Sequence, residues 1–119
     1  MDSILIVDDH ADFRRYAREL LEDDGFCVLG EAGEGETGLR IARSLRPDLV
    51  LLDIGLPDVD GFEVAGRLAD DGPPPPFVVL TSTRDATAYG PRLAESRALG
   101  FIPKDQLSGS AIRALVAGQ

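Results

Sequence analysis

The sequence predicts an α/β fold built on a doubly wound, five-stranded parallel sheet with about five helices. Strand-like and helix-like segments alternate from one end of the chain to the other, as expected for successive βαβ units. The strand-like segments include unbroken apolar runs, such as ILIV at 4–7 and LVLL at 49–52, which are typical of strands covered on both faces. Because crossovers between parallel strands are right-handed, helices are expected on both sides of the sheet.

The first half of the chain contains three predicted strands and two predicted helices. The strands cover 3–8, 27–31 and 49–52, and the helices follow Asp12 and cover 34–46. Apolar residues recur at three-and-four spacing in the first helix, which Asp12 is expected to cap and Gly25 to follow. In the second helix, the residues expected to face the core are Ile41, Ala42 and Leu45, with Leu39 to the side.

The second half of the chain contains two further strands, two helices and one ambiguous segment. The helices cover 61–71 and a stretch that starts near Ser108 or Ser110, and the strands cover 77–80 and 101–103. Segment 86–99 has a helical composition, but the Gly90 and Pro91 pair should interrupt or shorten any helix there. The four prolines at 73–76 are interpreted as a rigid connector, with a polyproline II ligand as the alternative.

Length and composition predict a single domain over residues 1–119 and argue against several functions. A chain of 119 residues with 44% hydrophobic and 28% charged residues is long enough for one core. The net charge of −9 argues against nonspecific binding to nucleic acid or to an anionic membrane. No apolar run approaches membrane-spanning length and the first strand begins at once, so a cytoplasmic protein is expected. Cys27, the lone cysteine, excludes a disulfide framework and is expected to be a small buried hydrophobe.

Polar residues lie where four of the five predicted strands end. These residues are Asp8 and Asp9, Asp53, Thr81 and Ser82, and Lys104. In a doubly wound sheet, the carboxyl ends of the strands share one edge, where such folds place their chemistry. Three crowded carboxylates would repel each other and raise some pKa values unless a cation shares the site. Mg²⁺ suits such a site because it takes oxygen ligands and keeps positions open for water or phosphate.

This set of groups matches the needs of phosphoryl transfer. A carboxylate can act as the nucleophile, while a metal ion and an ammonium group offset charge on the phosphoryl oxygens. Lys104 is the only lysine among twelve basic residues, and its compact charge fits that role better than an arginine fork would. The Thr81 hydroxyl would add a hydrogen-bond donor. Any one of these residues alone would be unremarkable, but their conjunction at four strand ends favours a functional site.

Four motifs carry a resemblance to a known family. They are VDD at 7–9, LLDIGLPDVDG at 51–61, VLTS at 79–82 and GFIPK at 100–104. In order and spacing they resemble the receiver domains of two-component response regulators, most closely those of the LuxR/NarL-type output class. The resemblance covers essentially the whole chain, and it implies a flavodoxin-like sheet with strand order 2-1-3-4-5.

The resemblance also implies a role for each site residue. Asp53 would accept a phosphoryl group from the phosphohistidine of a sensor histidine kinase, in a Mg²⁺-dependent reaction. The implied metal ligands are Asp9, Asp53 and the Gly55 backbone carbonyl, with Asp8 acting through water. Lys104 would bind a phosphoryl oxygen, Thr81 would move toward the phosphoryl group, and Phe101 would be the switch aromatic. Pro57 and Gly61 would shape the loop beyond the acceptor.

As a member of such a family, the chain would be a signalling switch and not an enzyme. It would at most phosphorylate itself from small donors and dephosphorylate itself. Homodimerisation on activation is an expected mode of output, with no direct contact to nucleic acid or membrane by this domain. Three departures from the commonest pattern concern that output: Phe101 lacks a tyrosine hydroxyl, Asp105 follows Lys104, and Gly90 and Pro91 fall in the fourth helix.

Two other functions and one residue stay open at this point. A receiver-like binding module could work without phosphorylation, although the complete acidic, threonine and lysine set argues against it. A hydrolase of the haloacid dehalogenase type would use similar chemistry, but it needs an Asp-x-Asp arrangement on the first strand and a cap. His10 is expected to be a surface residue, with a place beside the pocket as the alternative. Asp58 and Asp60 are expected to be turn and helix-cap residues.

Overall fold

The computed structural model describes residues 2–72 and 74–119, which form five strands and five helices. The strands are β1 (Ser3–Val7), β2 (Cys27–Ala32), β3 (Leu49–Asp53), β4 (Phe77–Ser82) and β5 (Gly100–Pro103). The helices are α1 (Ala11–Asp23), α2 (Gly35–Leu45), α3 (Gly61–Ala69), α4 (Pro91–Glu95) and α5 (Gly109–Ala117), with short 3₁₀ turns at Ala86–Ala88 and Lys104–Gln106. No helix among the described residues is long and apolar enough to cross a membrane.

The five strands form one parallel sheet in the order β2-β1-β3-β4-β5, which confirms the predicted fold class. Asp53 at the end of β3 lies opposite Thr81 on β4, and Thr81 lies opposite Ile102 on β5. This register brings the polar ends of the central strands to one edge of the sheet. Because the strands are parallel and in this register, the polar residues that follow them in the sequence meet at the same edge.

Two apolar cores cover the two faces of the sheet, because successive strand residues point to opposite sides. On β1, Leu5 and Val7 belong to the core under α2 and α3, whereas Ile4 and Ile6 belong to the core under α1 and α5. Every one of these four side chains is almost fully buried. The double burial explains why the central strands read as continuous apolar runs.

The structure corrects the expected cap of α1. The helix begins at Ala11 with His10 in the N-cap position, while Asp12 lies exposed in the first turn. The His10 side chain makes no capping hydrogen bond. Instead, the Asp8 carboxylate accepts a hydrogen bond of 2.8 Å from the His10 backbone N–H. The turn between β1 and α1 is thus stabilised from the strand end rather than from the helix.

The face that α2 buries also differs from the expected one. Leu39 and Ala42 are buried together with Gly35 and Gly38, whereas Leu45 is largely exposed. The close packing of Gly38 on β1 explains this rotation, since a Cβ atom there would lie 2.8 Å from a methyl group of Val7. The spacing of apolar side chains does not reveal that a glycine is buried, so the sequence pattern predicted that Leu45 would face the core.

Cys27 is exposed, which contradicts the expectation of a buried hydrophobe. The residue lies on β2, an edge strand of the sheet, where one side of the strand lacks a neighbour. The pairing of β2 with β1 also shifts between Ile4 and Leu5, so that Leu29 is the extra residue of a bulge. Phe26 and Val28, which flank Cys27, point to the opposite face and are buried in the core there, so the segment looks apolar in the sequence.

The ambiguous segment before β5 is interrupted as predicted. A 3₁₀ turn at Ala86–Ala88 is followed by Gly90 with a φ of 56°, and α4 then runs for only five residues from Pro91. Glycine tolerates this left-handed conformation, and proline suits the first position of the short helix. Of the proline run at 73–76, Pro73 lies outside the described residues, and whether the run binds a partner stays a prediction.

Helix caps in the second half follow the sequence closely. Asp60 caps α3 by accepting a hydrogen bond of 2.7 Å from Phe62 N, and Ser108 caps α5 through Ala111 N. Asp58 has a less local role, because its carboxylate accepts from the backbone N–H groups of Gly35 and Glu36 at the start of α2. These hydrogen bonds lower the pKa of Asp58. The loop after β3 is therefore tied to both adjacent helices.

Candidate functional site

The buried polar residues of the described chain all lie at one edge of the sheet. They are Asp8, Asp53, Thr81 and Ser82, each at most 5% exposed. Burying polar groups is costly unless they are paired, so a folded domain seldom gathers them without a use for them. Each of the four was predicted from its position at a strand end, and the structure brings them together.

A cluster of potential metal ligands lies at the centre of this edge. One ligand atom from each of Asp8, Asp9, His10 and Asp53 lies within 4.8 Å of all the others. Asp8 and Asp53 are buried, whereas Asp9 and His10 lie at the solvent side. The cluster therefore combines two carboxylates that are shielded from water with two groups that an incoming ligand can reach.

The pKa of Asp53 is raised by its position in this crowded site. Burial, followed by the charge of the Asp8 carboxylate, raises the pKa of Asp53 above its usual value. Lys104 opposes this effect, as does a hydrogen bond of 3.3 Å from Gly55 N to the Asp53 carboxylate. The carboxylate is consequently more basic than an exposed aspartate, which favours its reaction as a nucleophile.

Lys104 lies inside the site rather than at its margin. Its ammonium nitrogen lies 2.7 Å from Asp8 Oδ2 and 3.8 Å from Asp53 Oδ2, and its side chain is only 10% exposed. The same nitrogen lies 4.4 Å from the ring centroid of Phe13 on α1, a cation–π contact. The role of Phe13 was not predicted, since the sequence pattern assigns this residue only to the apolar face of α1.

An unpaired carboxylate oxygen of Asp8 shows that the site suits a divalent cation. Asp8 Oδ2 is the only buried side-chain oxygen or nitrogen of residues 2–72 and 74–119 without a hydrogen-bond partner. The nearby Lys104 ammonium supplies a countercharge, but the two groups are not aligned as a hydrogen bond. A buried carboxylate oxygen with free lone pairs, beside the carboxylates of Asp9 and Asp53, is a donor set suited to Mg²⁺.

His10 is the most exposed member of this cluster and lies beside the pocket, which was the alternative expected for it. Its Nδ1 atom lies 3.1 Å from a carboxylate oxygen of Asp8 and 3.1 Å from one of Asp9. Its side chain nevertheless stays 62% exposed, as expected for a surface histidine at the start of a helix. His10 thus contacts the acidic groups from outside, while Arg14 contacts the Asp8 backbone carbonyl at 2.5 Å.

Thr81 and Phe101 hold the opposite side of the site. The Thr81 hydroxyl donates a hydrogen bond of 2.7 Å to the Ile102 carbonyl, so it is directed toward β5 and not toward Asp53. Phe101 is half-buried and packs edge-on against Tyr89, with ring centroids 6.0 Å apart. Tyr89 in turn lies within hydrogen-bond distance of Ser82. The role of Tyr89 was not predicted, because this residue falls in the segment whose structure was ambiguous from the sequence.

Gly61 brings α3 directly against the end of β3. A Cβ atom at this position would lie 2.6 Å from the Asp53 backbone carbonyl, closer than real Cβ atoms approach. Gly61 N also donates to the Ile54 carbonyl at 3.0 Å. Gly55 and Pro57, by contrast, are exposed in the loop between them. This agrees with a loop shaped by Gly61, whereas the Gly55 carbonyl as a ligand stays a prediction.

Comparison with known proteins identifies the family of this chain. The sequence pattern of the response regulator receiver domain matches residues 4–116. The chain therefore belongs to the receiver domain family of two-component response regulators. Domains of this family are switches rather than enzymes, bind Mg²⁺ at an acidic pocket and interact with sensor histidine kinases.

Of two similar proteins, one is a transcription regulator by name and the other a response regulator. The chain is 43% identical over 105 residues to the transcription regulator BvgA of Bordetella pertussis, covering 88% of this chain and 50% of that protein. It is 35% identical over 123 residues to the response regulator GacA of Pseudomonas aeruginosa, covering 100% and 57%. The chain thus spans about half the length of the curated relatives it matches.

Solved structures give the same family and the same fold. The signal receiver domain of NarL from Mycobacterium tuberculosis is 30% identical and superposes with a TM-score of 0.86, covering 98% of this chain and 97% of that one. A LuxR-family two-component response regulator from Aurantimonas is 28% identical with a TM-score of 0.83, covering 98% and 86%. The resemblance to LuxR/NarL-type receivers is confirmed.

Proposed function

We propose that the domain accepts a phosphoryl group on Asp53 from a sensor histidine kinase, in a Mg²⁺-dependent reaction, and thereby switches an output surface. The observation that carries this proposal is the setting of Asp53. This buried carboxylate lies near a second carboxylate, Asp8, and 3.8 Å from the ammonium group of Lys104, with Thr81 opposite it in the sheet. The raised pKa of Asp53 adds basicity to the group that must act as the nucleophile.

The proposed step is a direct transfer from nitrogen to oxygen. A carboxylate oxygen of Asp53 attacks the phosphorus of a phosphohistidine, so that a P–O bond forms while the P–N bond breaks. The electron pair of the broken bond stays on the imidazole nitrogen, which then takes a proton from solvent. Lys104 moves from Asp8 to a phosphoryl oxygen, and the Thr81 hydroxyl leaves the Ile102 carbonyl to donate to another.

The Mg²⁺ ion would offset charge on the phosphoryl oxygens and on the crowded carboxylates. Asp9, Asp53 and the Gly55 carbonyl would hold it, with Asp8 acting through water. The unpartnered Asp8 Oδ2 atom supports a cation at this edge of the sheet. Phe101 would turn inward as Thr81 moves, because the two residues lie on adjacent strands of the same rim.

The output is proposed to lie outside this chain. The relatives named as transcription regulators are about twice as long, and the charge of −9 makes this domain a poor partner for DNA. We therefore propose that residues 1–119 form a single receiver domain that acts in the cytoplasm and controls transcription through an output domain or partner. Homodimerisation on activation stays a prediction.

The test uses acetyl phosphate as a small phosphodonor. The protein is incubated with acetyl phosphate and Mg²⁺ and its intact mass is measured. We expect one added phosphoryl group in the wild type, and none in Asp53→Asn or with the metal chelated. Asp60→Asn is the matched control, because this residue lies in the adjacent loop, caps α3, and asparagine caps as well.

Other outcomes would favour the alternative functions. No adduct, together with no response to beryllofluoride, would favour a binding module that works without phosphorylation. Rapid turnover of phosphate monoesters would favour a hydrolase. That second alternative is weakly supported, because β1 ends in adjacent aspartates and not in an Asp-x-Asp arrangement.

A further inference from the structure

A hydroxyl pair ties the segment after β4 to the sheet. Ser82 Oγ lies 2.5 Å from the Tyr89 hydroxyl oxygen and also accepts a hydrogen bond of 3.0 Å from Arg84 N. Ser82 is only 5% exposed, although the segment between the two residues lies at the surface. One partly buried side-chain contact therefore joins the two ends of this exposed segment.

The Tyr89 ring is held by aromatic neighbours on both sides. Its centroid lies 5.8 Å from that of Phe62 on α3 and 6.0 Å from that of Phe101 on β5, both in edge-on arrangements. Such contacts fix the ring and so determine where its hydroxyl group can reach. Tyr89 consequently joins three elements: the start of α3, the end of β4 and the strand that carries the switch aromatic.

Ser82 is the immediate neighbour of the residue that must move. The Thr81 hydroxyl is bonded to the Ile102 carbonyl and thus turned away from Asp53. If the Thr81 hydroxyl is to reach a phosphoryl group on Asp53, the chain at residues 81 and 82 has to shift. A shift of Ser82 would stretch its short contact with Tyr89, whose ring packs against Phe62 and, in the resting arrangement, against Phe101.

We infer that the Tyr89–Ser82 hydrogen bond is a latch that holds the segment after β4, and with it Thr81, in the resting arrangement. Tyr89 is a positioning residue in this scheme, because it acts through Ser82 and touches no reacting atom. It also brings a hydroxyl group next to Phe101, which has none of its own. The inference rests on the proposed function, since the latch opposes the movement that phosphorylation of Asp53 requires.

The chain offers a clean variant and a matched control. Tyr89→Phe removes one oxygen atom and keeps the ring between its aromatic neighbours. Tyr16→Phe makes the same change at the only other tyrosine, which lies on α1; its exposed side chain packs against Phe13, and its hydroxyl group has no hydrogen bond to the described residues. Ser82→Ala removes the other partner of the latch. Thermal melting of each variant shows whether it is folded.

Beryllofluoride with Mg²⁺ serves as the probe of the phosphorylated arrangement. A ligand that favours one arrangement binds more tightly when the competing one is weakened. We expect Tyr89→Phe to tighten beryllofluoride binding by about three- to tenfold, as for the loss of one hydrogen bond from the resting arrangement. Ser82→Ala should act in the same direction, the double variant should resemble either single variant, and Tyr16→Phe should match the wild type.

A second readout follows the tyrosine itself. The chain has no tryptophan, so in a Tyr16→Phe background Tyr89 is the only tyrosine and dominates the near-ultraviolet emission. Its emission should change when beryllofluoride binds, because its hydroxyl group loses Ser82 as a partner. A residue with a merely structural role would keep the same emission in both arrangements.

The results separate failure of the latch from failure of the proposed function. If the wild type binds beryllofluoride but Tyr89→Phe binds it equally well or more weakly, the latch is wrong. Additive effects of Tyr89→Phe and Ser82→Ala would also overturn it, since the two side chains would then act separately. If the wild type binds no beryllofluoride, the proposed function fails, and the latch fails with it.

Discussion

The two halves of the polar rim are held by different forces. The charged half consists of Asp8, Asp9, Asp53 and Lys104, which interact through full charges. The Lys104 ammonium nitrogen lies 2.7 Å from a carboxylate oxygen of Asp8 and 3.8 Å from one of Asp53. The hydroxyl half consists of Thr81, Ser82 and Tyr89, which are held by hydrogen bonds between uncharged groups. Neutral hydrogen bonds contribute about 1 kcal/mol each, whereas an unpaired buried charge costs several times as much.

This difference suggests a division of labour. The charged half is expensive to disturb, so it is suited to bind a cation and a phosphoryl group at a fixed place. The hydroxyl half can exchange one partner for another at little cost, so it is suited to move. Substitutions in the two halves should therefore differ in size and in kind.

The largest effect on stability is expected from Lys104→Met, which keeps most of the stem beside Phe13 and removes the charge. Asp8 would remain buried without its countercharge, and we expect the free energy of unfolding to fall by about 3 kcal/mol in urea titrations without divalent cations. Arg97→Met is the control, because Arg97 pairs with Asp70 at the exposed surface and should contribute less than about 1 kcal/mol. Equal losses in both variants would show that the two halves of the rim do not differ as described.

Asp53→Asn should have a smaller effect of the opposite sign. Because the pKa of Asp53 is raised in the folded protein, the folded state holds this proton more tightly than the unfolded state does. Stability is then lost as pH rises from the usual aspartate value of about 3.9 through the raised pKa. At neutral pH without Mg²⁺, the variant should be more stable than the wild type, and the gain should vanish in acid.

Asp58→Asn supplies a control with the reverse sign. Hydrogen bonds from the start of α2 lower the pKa of Asp58, so its ionised form stabilises the folded state above the usual aspartate pKa. Thermal melts across pH should therefore show Asp58→Asn losing stability relative to the wild type as pH rises, while Asp53→Asn gains it. The same sign for both variants would contradict the assigned electrostatics of the charged half.

The smallest effects are expected at the open margin of the site. Gly55 and Thr83 are exposed, and a Cβ atom at Gly55 would meet nothing within 4 Å. Gly55→Gln and Thr83→Gln should change stability by less than about 0.5 kcal/mol but slow loss of the phosphoryl group by roughly two- to fivefold, by hindering water. Gly66→Gln on α3 is the control, because its position is equally open. The dephosphorylation rate is measured from the intact mass over time. Unchanged rates in both variants would show that residues 55 and 83 do not control access of water.

The sequence predicted the charged half because strand ends are local features. An apolar run followed by Asp8, Asp53 or Lys104 is visible in the sequence, and the parallel sheet brings such ends together without further information. The same reasoning located Thr81 and Ser82. A topology that can be recognised from alternating segments thus predicts the position of its site as well.

The features that were missed depend on tertiary contacts and not on a repeating pattern of residues. The exposure of Cys27 follows from the edge position of β2, and the buried face of α2 follows from the contact of Gly38 with Val7. Tyr89 approaches Ser82 across a short loop that contains the 3₁₀ turn at Ala86–Ala88. None of these contacts has a periodic pattern that would reveal it.

Mapping the modified residue tests the central claim most directly. The protein is treated with acetyl phosphate and Mg²⁺, borohydride reduces the acyl phosphate to homoserine, and peptides are sequenced by mass spectrometry. We predict homoserine at position 53 alone, with none in protein treated without the metal. Homoserine at position 8 or 9, or its absence from every aspartate, would contradict the assignment of Asp53 as the phosphoacceptor.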